Sequence, residues 1–185
     1  MAQLNGHGIA LRMPRGFEGH IFRRAEETPP EAAGRARVAA PPTGTLAAPA
    51  LPSLPSVPPA PTYPVLHAGN FPLPSGMGDF GSGAVEVMTT GDVLVVLFEY
   101  DAASVGTPLF AVGGIPTLRP TDFRPDTLQR PINGQVGVQR FFSEAGRAFC
   151  LYVVLGGEAD RAHLVALVNQ ALRDLVIDPA PTEGG

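Results

Sequence analysis

The residues of this chain best suited to chemistry crowd into one short window: His67, Asp79, Ser82 and Glu86. General acid–base work needs an imidazole and a carboxylate within hydrogen-bond reach, directly or through one water. His67 with Asp79 or Glu86, and Ser82 as nucleophile, would be the parts of a small hydrolase. The G-x-S-x-G elbow that exposes such a serine between a strand and a helix is absent, however, and Gly81-Ser82-Gly83 has no such setting. The same window contains Gly76-Met77-Gly78-Asp79-Phe80-Gly81, a literal match to G-x-G-x-x-G. Dinucleotide binding requires that loop to leave a strand and open a helix, so that the helix N-terminus meets the pyrophosphate. Here Phe71-Pro72-Leu73-Pro74-Ser75 precedes it and a strand-like alternation follows, so the match lacks its context. Two readings stay open: a glycine-rich turn that carries the chain onto a sheet, or an anion nest built from the N–H groups of Gly76, Gly78 and Gly81.

The remaining candidates point to structure. Asp79-Phe80-Gly81 matches the metal-binding triplet of kinases, but all 13 basic residues are arginine and a kinase needs a lysine. His7, His20, His67 and His163 show no H-x-x-x-H pairing and no carboxylate at zinc spacing, so no metal and no cofactor is expected. Cys150, the single cysteine, lies in the apolar run Ala148 to Leu155, where burial makes a thiol inert. Arg119-Pro120-Thr121-Asp122-Phe123-Arg124-Pro125-Asp126 sets two arginines beside two acids. Either the charges pair and fasten a loop, or Arg119 and Arg124 receive an acidic partner. A net charge of −4 and a pI near 5.5 leave no basic stripe for nucleic acid. No run reaches the roughly 18 apolar residues of a membrane span, and the first residues lack the charged and apolar regions of a signal peptide. A soluble protein in the cytoplasm is the expectation, and the Ala/Gly/Pro/Arg-rich usage reads as a GC-rich, bacterial coding bias.

These residues are positioned by one expected domain, split by an insertion. Residues 1–24 supply its first strands, 63–178 the remainder, and 179–185 a tail. Residues 8–13 and 18–23 flank Pro14-Arg15-Gly16-Phe17 and read as a hairpin. Residues 25–62 are rich in Ala, Pro, Glu and Thr and cannot bury enough surface to offset ordering; mobility is expected from Glu26 to Ala48. Prolines then recur every third residue from Pro49 to Pro64, the period of polyproline II. Leu51, Leu54, Val57, Ala60 and Tyr63 share that period and form an apolar edge. The edge either straps onto its own domain or meets a protein partner, which could be a second copy or another chain.

Beyond the insertion, strands are expected at 64–68, at 84–88 by alternation, and at 93–98, which is apolar on both faces as a central covered strand would be. Prolines at 108, 116, 120, 125 and 131 keep 102–134 in loops. A hairpin of 136–142 and 147–155 turns at Ser143-Glu144-Ala145-Gly146. The stripe Leu164, Val168, Ala171, Leu172 and Leu175 predicts a helix over 159–175. The fold class is therefore α+β: a mostly antiparallel sheet with one long C-terminal helix packed on it.

Pro14-Arg15-Gly16-Phe17 early in the chain, with a long apolar strand running straight into an amphipathic helix, resembles PsbP-like domains and the related LpqN-type lipoproteins. The likeness covers the first 24 residues and 84–178 and rests on element order. It implies a non-enzymatic accessory or binding role and carries over no functional residue; the chain departs from the pattern in lacking an export signal and in its proline-rich insertion. The expected function is a non-catalytic interaction or assembly module. Its partner-binding residues would be Leu51, Leu54, Val57, Tyr63, Arg119 and Arg124. The alternatives are the hydrolase above and a small-ligand or anion-binding domain.

Overall fold

The computed structural model describes residues 2–23 and 62–180. The insertion, with Leu51, Leu54 and Val57 and the period-three prolines before Pro64, lies outside the described residues.

Two antiparallel sheets and one helix make up the fold. The larger sheet has five strands in the order β3 (Glu18–Arg23), β4 (Pro64–Gly69), β5 (Val93–Glu99), β7 (Arg147–Leu155), β6 (Val136–Glu144). The smaller has three, β1 (Gln3–Gly6), β2 (Ile9–Arg12) and β8 (Leu175–Ile177). The insertion leaves and re-enters the large sheet at paired residues, Arg23 opposite Pro64. Pro64, the last proline of the period-three run, is thus the first residue of a strand, one of the few sheet positions proline tolerates.

Alternation along the large sheet sends its residues into two cores. Leu66, Ala68, Val95, Leu97, Leu151 and Val153 face one side, where they meet Ile9 and Leu11 of the small sheet and Leu164, Val168 and Leu172 of the helix α1 (Arg161–Arg173). Val65, Val96, Phe98, Cys150, Tyr152 and Val154 face the other, under Phe71, Phe80, Ala84, Val85 and Leu128. Both faces are covered, which is why β5 and β7 read as unbroken apolar runs. The second cover is a loop layer that the sequence reading did not foresee.

Three local expectations are corrected. Residues 8–13 and 18–23 do not form a hairpin: β2 pairs with β1 and β8, while β3 pairs with β4 in the other sheet. Pro14 does head a turn, closed by Phe17 N–H to Pro14 O, but that turn passes the chain between sheets. The β1–β2 hairpin is instead the two-residue turn His7-Gly8, both at positive φ (54° and 72°), which suits the right-handed twist of the strands it joins. Residues 84–87 are turns and Met88 is loop, not a strand. Ala84 and Val85 are consecutive and both buried while Val87 is 56% exposed, the reverse of an alternating strand. Leu175 closes the small sheet as part of β8 rather than extending the helix. The β6–β7 hairpin forms as expected, turning at Ala145-Gly146 with φ of 51° and 72°.

The region 102–134 contains four 3-10 turns: Ala102–Ser104, Pro108–Phe110, Pro120–Asp122 and Pro125–Thr127. It is anchored at several points. Phe110, Leu118, Phe123 and Leu128 are buried, and the Asn169 side chain of α1 both accepts from Leu118 N–H (2.9 Å) and donates to Leu118 O (2.8 Å). Asp122 pairs across β6 with Arg140 at 2.8 Å. The fastening ion pair therefore reaches out to the sheet instead of joining Arg119 or Arg124, both of which are exposed.

Candidate functional site

The glycine-rich segment is wound by its own hydrogen bonds. Gly78 N–H donates to Ser82 O and Gly81 N–H to Gly78 O, while Ala84 and Val85 both donate to Gly81 O. Gly83 N–H donates to the Glu86 carboxylate at 2.7 Å. An anion nest on Gly76, Gly78 and Gly81 would need free N–H groups, and two of those three are engaged within the loop. What the winding achieves is to press Phe80 and Val85 onto the sheet beside Phe98 and Tyr152.

Between this loop and residues 128–135 lies an open pocket of ≈ 400 Å³. Phe80, Val85, Leu128 and Tyr152 give it apolar walls, and Asp79, Ser82, Glu86, Gln129, Arg130 and Gln135 supply its polar groups. Glu86 and Arg130 approach to 3.7 Å with side chains 37% and 77% exposed, so their attraction is weak. Gln135 is 4% exposed. Its Nε2 donates to Val85 O at 2.7 Å, which identifies the amide orientation, because a carbonyl accepts only from the NH₂ side. Gln135 Oε1 is then buried with no hydrogen-bond partner among the described residues. The Tyr152 hydroxyl accepts from Gln129 N–H at 3.4 Å, and burial raises its pKa, opposed by that hydrogen bond, so it keeps its proton to donate.

His67 stands apart from the pocket's lining. It is fully buried on β4, directly opposite His20 of β3, and its ring meets those of His20 and Phe22 edge-on at 5.3 and 5.2 Å. Nε2 bonds to the backbone carbonyl of Asp79 at 2.8 Å, so it carries the proton; Nδ1 is buried and finds no partner among the described residues. The pocket thus gathers Asp79, Ser82 and Glu86, whereas His67 holds the glycine loop down from beneath.

Burial lowers the His67 pKa, helped by His20 and opposed by the Asp79 carbonyl and charge. An imidazole whose folded pKa lies below its unfolded value of about 6.5 binds protons more readily in the unfolded chain. Its neutral form contributes full stability above about pH 6.5, and that contribution is lost as pH falls toward the folded pKa. Urea midpoints compared at pH 7.5 and 5.5 should therefore fall further for the natural protein than for His67→Leu. Equal losses in the two proteins would remove His67 as the cause.

The thiol of Cys150, buried and accepting from Gln139 Nε2 at 3.2 Å, is pushed up to about 11 by desolvation. Among the described residues no group of three or more His, Cys, Asp or Glu side chains is arranged to hold a metal ion. No helix among them is long and apolar enough to cross a membrane.

Several of these residues carried no sequence signal. Gln135, Arg130 and Tyr152 are far from the window 67–86 in sequence, and no spacing rule links them to it. The two-sided apolar run of 93–98 implied a covered second face, but nothing in the sequence said which loop would cover it.

Fold and site together define an α+β protein with a polar-rimmed, apolar-walled pocket on the loop-covered face of its sheet. Comparison with protein-family models, with curated proteins and with solved structures finds no match to this chain.

Proposed function

We propose that this protein is a non-catalytic binding module that holds a small organic molecule between its glycine-rich loop and residues 128–135. The observation that carries this reading is the open pocket itself, whose apolar walls of Phe80, Val85, Leu128 and Tyr152 are rimmed by polar side chains. The pocket's ≈ 400 Å³ falls within the roughly 300–1,000 Å³ common for ligand sites, and its mix of apolar walls with few polar groups is the usual composition. A binding role is favoured over hydrolysis because His67, the base a hydrolase would need, is buried against a backbone carbonyl and does not line the pocket. The resemblance to PsbP-like domains implies a role of the same kind.

A fragment screen by NMR on the full chain tests the reading. Compounds should shift the amide signals of Phe80, Leu128, Gln135 and Tyr152 together, and Ser82→Trp, placed at an exposed position of the pocket, should abolish the shifts. Binding confined to other surfaces would sink it.

A protein partner at the 102–134 region is the second reading. It is favoured by Leu109 and Val112, 56% and 63% exposed on the same loop region as Arg119 and Arg124. Sedimentation and pull-down with Leu109→Ser/Val112→Ser as control would detect it; identical behaviour of the two proteins counts against it.

A further inference from the structure

Resting on that pocket reading, we infer that His67 is a proton-operated latch: its neutral ring holds the glycine-rich loop on the sheet and keeps the pocket formed, and its protonated ring releases the loop. The bonding of the ring is the first ground for this. Nε2 spends its proton on Asp79 O at 2.8 Å, so the sheet holds the loop by the residue next to Phe80, a wall of the pocket. Nδ1 is enclosed by protein and has no hydrogen-bond partner among the described residues. A neutral ring leaves only an idle acceptor there. A protonated ring would add a buried N–H with nowhere to donate and a charge withdrawn from water. The second proton is therefore taken up where the ring meets solvent, and the loop has to lift to let it.

The groups facing the ring do not relieve this. On β3 the directly opposite residue is His20, a second imidazole whose ring lies 5.3 Å away, with Phe22 at 5.2 Å. Glu18, two residues along β3 from His20, already accepts from Leu73 N–H. On β5 the register partner is Val96, and Leu94 and Phe98 on either side of it share its face, all three apolar. In the loop, the Asp79 carbonyl and charge favour the protonated ring, but burial outweighs both and His20 adds to it.

The loop is built to move from that point. Past Asp79 it is wound on itself, Gly81 N–H on Gly78 O and the N–H groups of Ala84 and Val85 on Gly81 O. Phe80 rests on Phe98 with ring centroids 4.3 Å apart. Lifting Asp79 takes Phe80 off Phe98 and Tyr152, and one apolar wall of the pocket goes with it.

Amide exchange followed by NMR on the full chain, scaled to unfolded-chain rates at each pH, tests the latch. Gly81, Ala84 and Val85 report on the loop, Val95 and Val153 on the sheet. Between pH 7.5 and 5.5 the loop amides should lose protection several-fold, towards the roughly tenfold that one proton taken up below about pH 6.5 allows. They should exchange faster than the sheet at both pH values, as a locally opening segment does. His67→Gln keeps an N–H donor and cannot titrate, so its loop protection should not change with pH. In the natural protein the imidazole nitrogen signals of His67 should titrate in step with the loop amides, a measurement that holds even where the variant fails to fold. Loop exchange equal to that of the sheet, or His67 titrating while the loop stays closed, overturns the latch. Indole, a flat neutral probe, separates the latch from the pocket reading. It should shift Phe80, Leu128 and Tyr152 at pH 7.5 and bind several-fold more weakly at pH 5.5, with no such change in His67→Gln. Equal indole binding at the two pH values overturns the latch and leaves the pocket. A pH-dependent loop without indole binding at either pH supports the latch and counts against the pocket.

Discussion

Replacing Arg147 by methionine should cost about 3–5 kcal/mol of stability, the loss typical when one partner of a buried charge pair is removed. Arg147 is 5% exposed at the start of β7. All five guanidinium donors are used. Nε and Nη2 hold the Glu99 carboxylate at 2.8 and 2.6 Å, Nη1 reaches Gly8 O (3.0 Å) and Asp178 O (3.2 Å), and Nη2 also reaches His7 O (3.0 Å). The cation also sits 5.2 Å from the centroid of the Phe149 ring. One side chain therefore ties β5 and β7 to the β1–β2 turn and the end of β8, which lie side by side at one end of the small sheet. Methionine fills the volume but removes the guanidinium donors from the part-buried Glu99 carboxylate and from the carbonyls of His7, Gly8 and Asp178, of which Gly8 O keeps its bond from Asp178 N–H. Lysine should recover only part of the loss, because an ammonium cannot reproduce a planar fork with five donors. Urea unfolding measures both variants. A loss below about 1 kcal/mol for Arg147→Met would show that the two sheets are held by their apolar contact alone.

Phe123→Ala should be comparably severe, about 3–5 kcal/mol, the usual range for a buried phenylalanine. Phe123 is 1% exposed and packs in the core between the large sheet, the small sheet and α1. It is a loop residue, held between two 3-10 turns, with Arg124 N–H and C=O exchanging bonds with Gly137 immediately after it. Truncation opens a cavity beneath the helix and frees the segment leading to Leu128, Arg130 and Gln135. Two losses should appear together: a lower urea midpoint and weaker fragment binding at the pocket. Faster proteolysis of 102–134 with an unchanged midpoint would instead make this segment a separate layer, outside the cooperative fold.

Both effects bear on how far the chain could be read in advance. The β6–β7 hairpin, the covered central strand and the amphipathic helix were legible because each is encoded locally: period-two and period-3.6 apolar patterns, and a glycine where positive φ is needed. The α+β class followed from their order. Residues 84–88 misled because Val85 and Val87 alternate in sequence, while Gly81 and Gly83, at φ of 81° and 92°, wind the chain into turns that a list of apolar positions does not register. The supposed first hairpin misled because β2 found better edges: β1 through a two-residue turn, and β8 from the other end of the chain.

The candidate site divides in the same way. Asp79, Ser82 and Glu86 were marked by polarity in a glycine-rich loop, and the pocket does collect them. His67 was marked with them, yet pleating turns it into the sheet's second core, where an imidazole serves as a buried donor to the loop above. Gln135, Arg130 and Tyr152 were invisible, since a glutamine is singled out only by what it fails to bond.

Local pattern by itself determined the strands near 8–13, 18–23, 64–68, 93–98, 136–142 and 147–155, the amphipathic helix with its greasy face, and that lysine chemistry is absent. Tertiary structure alone decided which strand edges pair, which loop roofs the second face, and that Arg147 and Gln135 become buried polar centres. The reason is physical: a strand's period specifies its faces but not its neighbours, and pairing is settled by long-range contacts whose closure entropy depends only weakly on separation along the chain.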